Sequence, residues 1–316
     1  MKRQWFAALV AVIAGMAMVA CSTGTGAVRV SEYLELKSRS LTLRQDLTRG
    51  GAIGYIAKAG EVRNFVNIAD EGRYIQQSYY GGRSVDRRNE GQAETWSPWA
   101  WNPIQVGDYA RNRAQITAFR KRRHSTYVAC IPMQWDMDGH PAEALMEQWT
   151  ELKGNIVHVR NRLTCHRTDT IYGDGGTNDQ EIPAVYPISS LNHLYAYQGD
   201  APFTGEKVDS LDVSELIFGT DHFWGRYPSV PEHWMAFLGD DGWGMAVYSP
   251  SATSFLAGRF RPYRNGEAES EGTSYIAPTR RQELHKNSVV EYDYWLILGT
   301  LDEIREAVYK LYAAEQ

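Results

Sequence analysis

The sequence predicts a mostly β fold: one large antiparallel β-sandwich, or alternatively a jelly roll, with a single C-terminal helix. Three observations predict it. Short segments along most of the chain alternate apolar and polar residues with the two-residue period of a strand. Gly-, Asp- and Asn-rich turns separate them, with no long linker, repeat or low-complexity tract. Only residues 302–313 read clearly as a helix, with Ile304, Val308 and Leu311 on one face and Thr300 as N-cap. The 316 residues are 43% hydrophobic and 22% charged, enough for one full core.

The first residues carry an export signal. Lys2 and Arg3 precede an apolar run over residues 5–20, too short for a membrane span. The run ends MVAC, with Ala20 before Cys21, and resembles a bacterial lipoprotein lipobox. That resemblance implies cleavage before Cys21, lipid on its sulfur, and, with Ser22 following, an outer-membrane destination. The organisation expected is a signal peptide over 1–20, a tether over 21–30 and a single sandwich domain over 31–316. The lipid bilayer is then one partner. Nucleic acid is not, because the net charge is −5. Cys130 and Cys165 remain, and sequence leaves open whether they pair.

Strands are expected within 33–47, at 52–57 before a turn at 70–72, at 74–80, and at 115–119 paired with 124–135. Residues 145–151 read as a strand. In 155–165 His158, Arg160 and Arg162 share one face. Residues 182–197 read as partly helical. Residues 235–250, MAFLGDDGWGMAVYSP, form the clearest hairpin. Further strands are expected at 253–259, 273–277 and 289–298.

Between two of these strands lies ETWSPWAWNPIQVGD, residues 94–108. Its prolines and lack of period make it a loop. Trp96, Trp99 and Trp101 either plug one end of the core or form a platform for the apolar face of a sugar, with Gln105 beside them. The export signal and other aromatic islands favour the platform.

Those islands also carry carboxylates, which glycan chemistry needs in pairs. They are Glu147 beside Trp149, Glu181 before Pro183, and Asp221 and Glu232 in DHFWGRYPSVPEHW with Trp224 and Trp234. Glu181 and Glu232 are the first choices for general acid and base or nucleophile, with Glu147 and Asp221 next. The tryptophans and Arg73 are expected to bind substrate. The leading expectation is a lipid-anchored glycoside hydrolase. A non-catalytic glycan-binding lipoprotein is the alternative from another class. A lyase or epimerase is the third, with His158, Arg160 and Arg162 suited to an acidic glycan. Asp174, Asn178, Asp179 and Glu181 lack the EF-hand ligand pattern. No P-loop, GxGxxG, GxSxG or HExxH motif is present, so no metal or cofactor is expected.

The stretch GGAIGYIAKAGEVRNFVNIADEGRYIQQSYY resembles the opening of galactose-mutarotase-type super-sandwich proteins. The matching positions are Gly51, Ala52, Asn67, Asp70, Gly72 and Arg73. Asn192-His193 with Tyr195 is also similar to that family's catalytic His segment, but the following residues depart from the pattern and His193 is not taken as catalytic. The resemblance implies the super-sandwich fold and a sugar theme. It does not imply a reaction.

Overall fold

The computed structural model describes residues 32–173, 177–213, 224–261 and 266–315, apart from the side chains of Thr177 and Trp224. The lipobox Cys21, the tether, Asp174 and Asp221 lie outside these residues. Among the described residues no helix is long and apolar enough to cross a membrane.

Two antiparallel sheets face each other. Sheet I has ten strands. Its main path runs Tyr33–Lys37, Leu41–Asp46, Ala52–Lys58, Ile75–Ser78, Thr177–Val185, Thr273–Glu283, Ser254–Phe260, Trp224–Tyr227; off this path Pro103–Ile104 pairs with Ile75–Ser78, and Met133–Gln134 pairs with Pro103–Ile104. Sheet II has nine, in the order Asp209–Leu211, His193–Ala196, Trp234–Leu238, Trp243–Tyr248, Val289–Thr300, Ile156–Cys165, Ala144–Lys153, Ser125–Ile131, Gln115–Lys121. Alternation sets the layers. Leu41 and Leu43 point inward with Ile56, Ile276, Phe237, Val247, Val159 and Leu296 into one shared core.

The Gly50-Gly51 turn shows why glycine is needed there. Gly50 has φ +61°, and a Cβ would sit 1.9 Å from the Gln105 carbonyl oxygen. The Gln105 side chain donates to the Gly50 carbonyl at 3.0 Å and accepts from the Gln77 N–H at 3.0 Å. Gln105 is therefore buried scaffold rather than a sugar contact.

The helix Leu301–Glu315 opens with a capping box. The Glu303 N–H donates to Thr300 Oγ1 at 3.4 Å, and the Thr300 N–H donates to Glu303 Oε2 at 2.8 Å. Its Ile304 and Val308 cover Trp234, Ala246 and Ile297 on the outer face of sheet II, as a second small core.

Residues 182–197 are not helical: the strand Thr177–Val185 continues into them and His193–Ala196 is another strand. Ile182, Val185, Ile188 and Leu191 recur every third residue and all enter the core, which imitates a helical stripe. Pro183 and Pro187 cannot donate to a helix ladder.

Cys130 and Cys165 are both buried free thiols. They lie on the two strands that flank Ala144–Lys153, opposite Met146 and Ala144. Two strand spacings, about 9.5 Å, separate them, beyond the reach of a disulfide.

Candidate active site

The outer face of sheet I is uncovered by any helix among the described residues, and Glu181 lies at its centre. On the strand Thr177–Val185 the neighbouring Ile182 enters the core, so Glu181 projects outward. Across one strand pair it stands opposite Ser78, and across the other opposite Thr279. The Tyr275 hydroxyl donates to Glu181 Oε1. Ser78, opposite on the neighbouring strand, places its hydroxyl beside the carboxylate.

Glu181 is 8% exposed. Burial pushes its carboxyl above the usual range, and the hydrogen bonds from Ser78 and Tyr275 offset only part of that shift. A raised carboxyl keeps its proton to higher pH than an ordinary one, which suits a general acid. Burial likewise pushes the Tyr80, Tyr186 and Tyr275 hydroxyls up, with the Glu181 charge adding to it. All three hydroxyls are thus disfavoured as bases, and Tyr275 is a donor to Glu181.

The walls are aromatic. Tyr186 packs on Tyr275 with ring centroids 4.9 Å apart. Arg73 sits 5.6 Å from the Tyr186 ring and 4.8 Å from the Phe260 ring. Its Nε donates to Asp70 at 3.2 Å, and the Asp70 carboxylate accepts the Gly72 N–H at 2.9 Å. The Asp70-Glu71-Gly72-Arg73 turn thus aims Arg73 over the sheet. Ala184 and Ala277 beside Tyr275 leave a low apolar floor.

The tryptophan segment meets this site. It is more ordered than a plain loop: Glu94–Trp96 is one 3-10 turn, and Trp99–Trp101 pairs with Gly81–Val85. Trp99 stands edge-on to Tyr80 at 6.3 Å. Trp96 stands edge-on to Trp99 at 5.4 Å and to Trp135 at 5.5 Å. Trp96 and Trp99 are half-buried and continue the rim that begins at Tyr80. Trp101 does something else. It is 2% exposed, packs in the core and lies 5.3 Å from the Arg167 guanidinium. One segment therefore supplies both two half-buried rim residues and a core plug.

The expected acid–base pair is not a pair. Glu232 lies on the far side of the sandwich, under the helix. Its Oε1 accepts the Phe203 N–H at 2.9 Å and the Tyr309 hydroxyl at 2.7 Å, and its Oε2 accepts the Trp234 indole N–H at 2.9 Å. Sheets stack about 10 Å apart. Carboxyls on the two outer faces are farther apart than that, beyond the roughly 5–9.5 Å that glycosidases use. Trp234 is fully buried and lines no cleft. Glu147 is also on the outer face of sheet II, paired to Arg162 at 2.5 Å and accepting the Tyr127 hydroxyl at 2.8 Å. Trp149 stands beside it. His158 and Arg160 do share a face with Arg162, as expected, but each already has a carboxylate: Asp293 for His158 and Glu291 for Arg160. Asp221 and the Trp224 side chain fall outside the described residues.

A second carboxylate, expected from sequence only in the Asp-Gly loop that lacks the EF-hand pattern, does share this face of the sheet. Asp179 lies two residues before Glu181 on the same strand face, about 6.5 Å along the strand. Arg226 reaches it at 2.6 Å from the edge strand of sheet I. Among the described residues no group of three or more His, Cys, Asp or Glu side chains could hold a metal ion. Ser78, Tyr80 and Tyr275 are the other site residues that single-sequence reasoning missed. The alternation of Ser78 and Tyr80 around buried Tyr79 was the available signal.

No protein-family model matches the sequence, and no curated protein does. Similarity appears in three dimensions. A galactose mutarotase related enzyme from Lactobacillus acidophilus superposes with a TM-score of 0.52 at 9% identity, over 86% of this chain and 99% of that one. This chain has the galactose-mutarotase-like fold. A galactose mutarotase-like protein from Lactobacillus casei aligns with a TM-score of 0.47 at 10% identity, over 84% of this chain and 99% of its own. A putative aldose 1-epimerase from Klebsiella pneumoniae aligns with a TM-score of 0.45 at 13% identity, over 88% and 81%.

Proposed function

We infer that this protein is a sugar-directed acid–base enzyme of the epimerase type, working at the outer face of sheet I. The observation that carries the reading is Glu181, a desolvated carboxyl at the foot of an aromatic rim. Interconverting the anomers of a free sugar needs a proton delivered to the ring oxygen and one removed from the anomeric hydroxyl. Glu181 is suited to the first step. Asp179, held by Arg226 at 2.6 Å, is suited to the second. Trp99 and Tyr80 would hold the apolar ring face, and Arg73 a hydroxyl. The mutarotase-related description of the Lactobacillus acidophilus protein agrees with this chemistry.

Hydrolysis is the second reading. Asp179 and Glu181 lie two residues apart on one face of the same strand, and a pair of carboxyls is what hydrolysis needs. The lipobox supports export and anchoring through Cys21. Replacing Cys21 with Ser should then release the protein from membranes.

The test is a panel of free hexoses and neutral oligosaccharides, followed by NMR exchange between anomers and by a reducing-end assay. Faster anomer exchange without new reducing ends supports the epimerase. New reducing ends that disappear in Asp179→Asn support the hydrolase. Neither change, with saturable binding, would leave a binding protein and defeat both readings.

A further inference from the structure

The outer face of sheet II holds a groove of about 630 Å³, away from Glu181. Strand register arranges its lining in rungs. One rung runs Arg120, Tyr127, Trp149, Arg160 across four strands. The next runs Ser125, Glu151, His158, with Arg122 beside it through its N–H to the Ser125 carbonyl at 2.7 Å. On the other side Ala129 faces Glu147, and this small residue leaves space over the rung.

The groove is preorganised. Trp149 is half-buried, with the Tyr127 ring 5.1 Å away and the Arg160 and Arg162 guanidiniums at 5.6 and 5.2 Å. Glu147 fixes both Tyr127 and Arg162. His158 stacks on Trp295 at 4.7 Å and 11°. The charges are not evenly used. Arg160, Arg162 and His158 each face a carboxylate across the sheet. Arg120 lies 5.5 Å from the Tyr127 ring, and among the described residues neither it nor Arg122 forms an ion pair.

We propose that this groove is a second saccharide site, specific for a sugar carrying a carboxylate. The ring would stack on Trp149, and the carboxylate would meet Arg120 and Arg122, where a bidentate guanidinium pair is available. Glu151, on the same rung as His158, favours this occupant over others of the same charge, because it can accept hydrogen bonds from sugar hydroxyls, which a polyphosphate backbone does not offer. The site is independent of the reaction assigned to Glu181, because the two lie on opposite outer faces of the sandwich.

Calorimetry on the full chain tests it, with trigalacturonate and trimannuronate as acidic probes and their methyl esters as neutral counterparts. The acidic forms should bind at least tenfold more tightly than the esters. Trp149→Ala should weaken every form at least tenfold. Arg120→Gln with Arg122→Gln, both exposed and so compatible with the fold, should abolish the acid-over-ester preference and leave ester-level binding. Glu181→Gln should leave these affinities unchanged, so failure here is distinct from failure of the epimerase reading. The proposal is overturned if neither acidic probe binds, if acid and ester bind alike, or if binding is lost in Glu181→Gln and kept in Trp149→Ala.

Discussion

Replacing Glu232 with Gln should destabilise the protein without touching its chemistry. The carboxylate is fully buried and accepts three hydrogen bonds, from Phe203, Tyr309 and Trp234. An amide of the same shape can keep its oxygen where Oε1 stood, but its NH₂ then faces the Trp234 indole N–H. A buried donor without a partner costs about 1–3 kcal/mol, and each of the other two bonds loses about 1 kcal/mol of charge assistance. Easier burial of a neutral group offsets part of this. The net loss is about 3 kcal/mol, or roughly 6–12 °C in melting temperature for a domain of this size. Tyr309→Phe removes one donor and should cost about 1 kcal/mol. Differential scanning calorimetry reads both, and turnover well below the transition reads the chemistry. An unchanged melting temperature together with lost turnover would refute the reasoning and restore Glu232 to catalysis.

Glu181→Gln should have the opposite stability effect, dependent on pH. A carboxyl raised in the folded state binds more protons there than in the unfolded chain, so native stability falls as pH rises from about 4.3, the unfolded value, through the folded one. The variant escapes that loss. It should melt above wild type at pH 8 and converge with it near pH 4; a constant gap would contradict the raised carboxyl. Trp99→Ala should weaken sugar binding roughly tenfold, about 1.4 kcal/mol, while a far smaller effect in titration would remove Trp99 from the site. Cys130 and Cys165 should both be silent to a thiol reagent in native protein and both react after denaturation without reductant. Burial pushes the Cys130 thiol up to about 12. Finding only denatured protein plus reductant reactive would reveal the disulfide that the strand spacing forbids.

Local signals were legible in the sequence. The hairpin around the Gly239-Asp240-Asp241-Gly242 turn and the helix with its Thr300 cap depend on neighbours in the chain, and both are present. The sandwich and its mutarotase-like kind were legible from alternation and from the segment around Asn67 and Arg73. Longer-range facts were not. Residues 182–197 looked helical because a period of three in core contacts imitates a helix stripe. Glu181 could be singled out from its surroundings, but its partners Ser78 and Tyr275 reach it only through strand register, across about a hundred residues on either side. Glu232 shared the same local signature, a carboxylate among aromatics. Which of the two meets solvent and which ties a helix to a sheet is a property of the layers, and no short window of sequence contains it. The tryptophan segment divides for the same reason: pairing with Gly81–Val85 turns Trp99 to the rim and Trp101 to the core.

The central claim is that Glu181 delivers a proton to a sugar. The most direct measurement is the anomer-exchange rate of a responsive hexose, by NMR, for wild type and Glu181→Gln side by side across the pH range in which both are folded. The account predicts a wild-type rate that falls as pH rises through the raised carboxyl, and a variant that is folded, still binds the sugar and shows only the uncatalysed rate. A variant that exchanges anomers as fast as wild type would contradict it.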